Sequence, residues 1–104
     1  MEITTYHSII QELLEHYRNA RISSYPGIEP RLVVDDKNYI YLLLYLGWDN
    51  KERVHECTIH IEIIDNKIWI QLNNTDISIT DYLFSKGVSK DNIVLGMHHP
   101  EKRF

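Results

Sequence analysis

Three short connections rich in aspartate and asparagine separate four β-prone runs, and they restrict this chain more than any other feature. The runs are Arg31–Asp36, Tyr39–Trp48, Arg53–Asp65 and Lys67–Asn73. Between them stand Asp36-Lys37-Asn38, Asp49-Asn50-Lys51-Glu52 and Asp65-Asn66. Connections this short cannot carry a crossover, so consecutive strands must lie side by side and antiparallel. Asn and Asp also tolerate the left-handed backbone that narrow hairpins require. The sequence therefore predicts a four-stranded antiparallel β-meander.

The flanks read differently. Tyr6, Ile9, Ile10, Leu13, Leu14 and Tyr17 recur at the spacing of one helix face, which predicts an amphipathic helix from about Ile3 to Ala20. Thr4 or Thr5 is placed to cap its start. Ser23–Pro30, with Pro26, Gly27 and Pro30, reads as a loop, because proline removes a backbone donor from any ladder. After the strands, Ser78 and Asp81 form a capping-box-like pair ahead of Ile79, Tyr82 and Leu83, and Gly87 suits a left-handed C-cap. Ser89-Lys90-Asp91 starts a further short turn before Ile93-Val94-Leu95. At 104 residues the chain makes one domain. The predicted fold is α+β, in the order helix, four-stranded meander, C-terminal helices.

Alternation assigns faces to the strands. In the third strand His55, Cys57, Ile59, Ile61 and Ile63 fall on one side, and in the fourth Ile68, Ile70 and Leu72. In the second, Ile40, Leu42, Leu44 and Leu46 alternate with Tyr39, Tyr41, Leu43 and Tyr45. The aliphatic side is expected to take the amphipathic helix. That leaves Tyr39, Tyr41, Leu43 and Tyr45, with Trp69, on a far face that is aromatic where a solvated face would be polar. Tyrosine and tryptophan are enriched where proteins meet, so this face is expected to be a homodimer or partner interface.

Other chemistries find less support. A net charge of −4 lacks the basic excess that supplies phosphate affinity, so direct nucleic-acid binding is disfavoured. Base stacking on the aromatic face would call for Arg and Lys around the rings, whereas Glu56 and Glu62 are expected there. The single cysteine, Cys57, rules out an internal disulfide and a multi-cysteine zinc site. Cys57 with His55 two residues away could make a nucleophile and base, but the flanking isoleucines favour a buried structural thiol. His98 and His99 are adjacent and lack the spacing of a chelating pair. Asp49-Asn50-Lys51 and Asp65-Asn66-Lys67 resemble nuclease carboxylate–lysine sets, yet turn chemistry explains both. No catalytic, cofactor or metal residues are predicted. The longest apolar run, Tyr39 to Leu46, is too short for a membrane span, and the start shows no signal peptide, so the chain reads as cytoplasmic.

One set of segments points to a family. Gly47-Trp48-Asp49, Arg53-Val54-His55, Ile59-His60-Ile61-Glu62-Ile63 and Asp65-Asn66-Lys67-Ile68-Trp69-Ile70-Gln71 follow one another in order. Asn74-Thr75-Asp76, Gly87-Val88-Ser89-Lys90-Asp91, Ile93-Val94-Leu95-Gly96 and Pro100-Glu101-Lys102-Arg103 continue the series. This resembles the XisI family, the controlling factors of fdxN-element excision, over essentially the whole chain. Asn66 stands where the family's turn carries glycine. The resemblance implies a non-enzymatic accessory role in site-specific DNA excision, with no cofactor. It implies a homodimer, an XisH-like, nuclease-like partner, and a separate site-specific recombinase that performs strand exchange. Two alternatives stay open: an antitoxin-like inhibitor of a nuclease-like partner, and a direct DNA-binding accessory factor.

Overall fold

A computed structural model describes residues 1–21 and 26–102; the expected loop residues Ser23 to Tyr25 and the tail residues Arg103 and Phe104 lie outside them. The amphipathic helix forms as its spacing requires. Helix α1 spans Ile3–Arg21, and all six stripe residues, Tyr6 to Tyr17, are buried. Thr4 and Thr5 do not cap it. They lie inside the first turn, where the backbone amides of Thr5 and Tyr6 donate to the carbonyl of Glu2.

Five strands follow, β1 Ile28–Asp35, β2 Ile40–Asp49, β3 Glu52–Ile64, β4 Lys67–Asn73 and β5 Ile93–Leu95, paired in chain order. The first four form the expected antiparallel meander. The expectation of C-terminal helices alone after it is corrected. One short helix, α2 (Ile79–Ser85), carries the chain back so that β5 pairs with β4 in parallel and completes a mixed five-stranded sheet. A parallel return needs a crossover, and the segment from Asn74 to Asn92 supplies one. Ile93, Val94 and Leu95 are β-prone, but three residues alone do not announce a strand.

The connections behave as their residues dictate. Asp65 and Asn66 both take positive φ, 52° and 60°, as a two-residue hairpin of this hand requires. Asp35 accepts from the backbone amides of Lys37 and Asn38 and from the Asn38 side chain, and these bonds hold its carboxyl below the usual range. Ser78 caps α2 by accepting from the Asp81 amide, and Gly87 follows it with φ at 89°. Strand β1 begins earlier than expected, at Ile28, and contains Pro30. As an edge strand it bonds to one neighbour only, so a residue without an N–H can sit there.

Two bulges determine which side chains reach the core. Register slips between Leu43 and Leu44, so Leu43 faces Ile59 while Leu44 faces Cys57, with Thr58 left over. A second slip pairs Ile61 with Ile70 and His60 with Leu72, leaving Gln71 over. Each extra residue inverts the alternation beyond it. The helix therefore covers Tyr41, Leu43, Ile59, Ile61, Ile63, Ile68 and Ile70, and Ile79, Leu83 and Val88 join the same core. The expected faces of β2 are reversed: its Tyr41 side lies beneath α1, and its aliphatic side does not.

Candidate functional site

Tyrosine suits the covered face because its ring fills space while its hydroxyl finds a partner. The Tyr41 ring is fully buried, and its hydroxyl lies 2.7 Å from Nδ1 of His7 on α1. Leu43 is buried as completely, and Tyr39 and Tyr45 pack against the same core. Trp69 lies on the opposite side of the sheet, across from Glu62. Of the five residues expected to form an interface, four therefore gather under the helix and the fifth is separated from them. Tyr41 and Leu43 have no surface to offer a partner.

The open side of the sheet is the unusual one. Ile40, Leu42, Leu44 and Leu46 run down its centre, each only partly buried, and none belongs to the helix-covered core. The bulges add Cys57 and Leu72 to this side, and Val33 stands beside Leu42 at 41% exposure. Trp48 extends the surface at one end, 56% exposed with the Arg53 guanidinium over its ring, and Ile64 at the other. A solvated sheet face is normally polar; this one is aliphatic through its middle.

Polar groups flank the aliphatic strip, among them His55 opposite Leu46 and His60 opposite Leu42 on β3. Glu62 accepts a 2.8 Å hydrogen bond from the Gln71 side chain and lies 3.6 Å from His60 Nε2. At the β1 edge Arg31 pairs with Glu29 at 2.8 Å. Cys57 sits here, not in the core as alternation alone suggested, and donates to the Ile59 carbonyl. Its partial burial pushes the thiol's pKa up, which opposes the thiolate a nucleophile needs. On the helix side, a cleft of about 510 Å3 is lined by Tyr17, Tyr45, Glu56, Thr58, Asn73 and Asp76, among others. Among the described residues no three His, Cys, Asp or Glu side chains gather as a metal site would need, and no helix is long and apolar enough to cross a membrane. Both Asp-Asn-Lys triplets fall at hairpin turns, as turn chemistry requires.

Fold and surface together define a two-layer α+β domain, helices on one side of a mixed sheet and an apolar face on the other. The chain belongs to the XisI family, whose model, described as XisI protein, matches residues 1–104. Among solved structures it is similar to a XisI-like protein from Anabaena variabilis, with a TM-score of 0.91, 33% identity, and 98% of this chain and 93% of that one covered. It is also similar to the fdxN element excision controlling factor XisI of Anabaena variabilis, with a TM-score of 0.86, 35% identity, and 98% of both chains covered. No curated protein matches it.

Proposed function

We propose that this chain is a controlling factor for the site-specific excision of a DNA element, and that it acts by binding other proteins and not by catalysis. Its membership of the XisI family and its likeness to a protein named as an excision controlling factor support the first part. The aliphatic sheet face, left uncovered by the chain's own helices, carries the second: contiguous apolar surface of this extent marks protein contacts. In this reading a nuclease-like, XisH-like protein is the partner the chain guides or restrains, in the cytoplasm, while a recombinase exchanges the strands.

The two alternatives draw less support. An inhibitor that mimics DNA needs an acidic surface, and the centre of the open face holds one acid, Glu62, beside His60. A DNA-binding face needs free cations, and here Arg31 is paired with Glu29 while Arg53 stacks on Trp48.

The test is excision itself, read by amplification across the rejoined junction in cells with and without this chain, together with co-purification of the nuclease-like protein. Loss of the junction without the chain, and recovery of the nuclease-like protein with it, are expected. Unchanged junction yield together with no co-purification would refute the reading.

A further inference from the structure

We propose that the groove between helix α2 and the outer edge of strand β5 binds an extended, acidic peptide segment of another protein, added to the sheet as a further strand. The groove is separate from the open sheet face, so this binding stands or falls apart from the excision role.

Two cavities make up the groove. The larger, about 540 Å3, is lined by all three residues of β5, by Thr80 and Phe84 of α2, and by Lys67 and Lys90. The smaller, about 180 Å3, shares Thr80 and Leu95 with it and runs on to Ser78 and Met97. Thr80 and Phe84 are four apart, so they share one flank of the helix. Ile79 and Leu83, their neighbours, are buried in the core. The two walls match in length. The helical segment Ile79–Ser85 rises about 10 Å, and the strand Ile93–Leu95 also runs about 10 Å. Such a span takes about three or four residues of extended chain.

Each wall supplies something a peptide needs. Strand β5 is the last of the sheet and pairs with β4 alone. An edge strand offers backbone groups to an incoming strand, and a groove beside it selects the side chains. Phe84 borders the larger cavity and Met97 the smaller, 45% and 43% exposed, where an incoming apolar side chain would cover them. Because β5 is short, backbone pairing alone is weak, as suits an edge that must not pair at random. Recognition then falls to the groove and its charges.

Those charges name the peptide. The chain as a whole is acidic, yet Lys67 and Lys90 border the larger cavity against one carboxylate, Asp91. Among the described residues neither lysine has an ion-pair partner. Ile68 pairs with Ile93, so Lys67 and Lys90 stand at the same end of the groove. Acidic side chains of a bound segment would meet them there. A nucleic acid fits less well, because two lysines neutralise few phosphates and Asp91 repels them.

The experiment is fluorescence anisotropy on the full chain with the labelled peptide Glu-Glu-Val-Leu-Val-Glu-Glu. Companion probes carry lysine for glutamate, carry proline for the central leucine, or are a labelled oligothymidylate. The acidic peptide is expected to bind with a dissociation constant of about 10–100 µM, and each companion at least about 10-fold more weakly. Lys67→Glu combined with Lys90→Glu, and separately Phe84→Ala, should each weaken the acidic peptide about 10-fold or more with unchanged circular dichroism. Lys51→Glu, at the far end of β3 from Lys67, should change nothing. Amide shifts in the NMR spectrum should concentrate in residues 80–84 and 93–97. No binding of the acidic peptide at about 1 mM overturns the proposal. So do an affinity indifferent to the paired lysine change, equal binding of the proline probe, tighter binding of the oligothymidylate, or amide shifts centred elsewhere.

Discussion

His7 on the helix and Tyr41 on the second strand are joined by a 2.7 Å hydrogen bond across 34 residues of sequence, their rings 5.4 Å apart. The other ring nitrogen of His7 lies 3.7 Å from the Asp36 carboxylate in the first hairpin connection. The histidine thus connects three elements: α1, the β1–β2 turn and the core strand β2. This explains how a tyrosine can lie wholly beneath a helix, since its hydroxyl brings its own partner inside.

Alkaline titration should expose this arrangement. Burial, followed by the negative charges of Asp36 and of an ionised Tyr39, pushes the Tyr41 hydroxyl up to about 12 from an ordinary value of 10. Because the folded value is the higher one, the stabilisation is complete below pH 10, declines above it, and is lost as pH passes about 12. Tyrosinate absorbance is expected to show a late-ionising group that Tyr41→Phe removes. The substitution should also lower stability at pH 7 by about 1 kcal/mol and narrow the stability difference as pH rises from 10 to 12. Ionisation of every tyrosine near pH 10 with the native spectrum intact would contradict the burial.

Gly47 fixes where the edge strand begins. A Cβ there would overlap the Gly27 carbonyl, a backbone atom that cannot swing aside, and φ at Gly47 is 152°. The same carbonyl accepts from the Trp48 amide at 3.1 Å. Gly47→Ala should destabilise by about 1–3 kcal/mol, the usual cost of inserting atoms where no space exists. Hydrogen exchange should quicken first at Trp48 and the start of β1. An unchanged melting temperature would mean that the close approach of Gly27 to Gly47 is wrong.

The β3–β4 hairpin turn offers a simpler test. Asn66 holds φ at 60°, which asparagine tolerates and a β-branched residue does not. Asn66→Gly should leave stability unchanged or raise it by a few tenths of a kcal/mol, whereas Asn66→Val should cost about 1–2 kcal/mol. Urea midpoints of the three proteins decide the order. Equal midpoints for glycine and valine would show that the turn does not need its left-handed backbone.

The helix, the order of the first four strands, their turns and the cap of α2 were all legible in the sequence, because each depends on local chemistry. Spacing at 3.6 residues places Tyr6 to Tyr17 on one stripe whatever the rest of the chain does. The covered face of β2 was not legible, because both its faces are apolar and alternation ranks neither. The bulges at Thr58 and Gln71 were hidden too, since an inserted residue has no signature in a run of β-formers. They moved Cys57 and Leu72 from the expected core side to the open side. Strand β5 was missed for a different reason: three residues gain their place from pairing with β4, not from their own preference.

Leu43 and Leu44 turn that lesson into the sharpest comparison. They are neighbours of identical chemistry, yet Leu43 is fully buried against Ile59 while Leu44 stands half-buried on the open face opposite Cys57. Leu43→Ala leaves a cavity in a close-packed core and should cost about 2–5 kcal/mol. Leu44→Ala removes atoms already in part contact with water and should cost about 1 kcal/mol in the isolated chain. Thermal melts of the two variants beside wild type measure both losses. Equal losses of stability at the two positions would mean that the assignment of the faces of β2 is wrong.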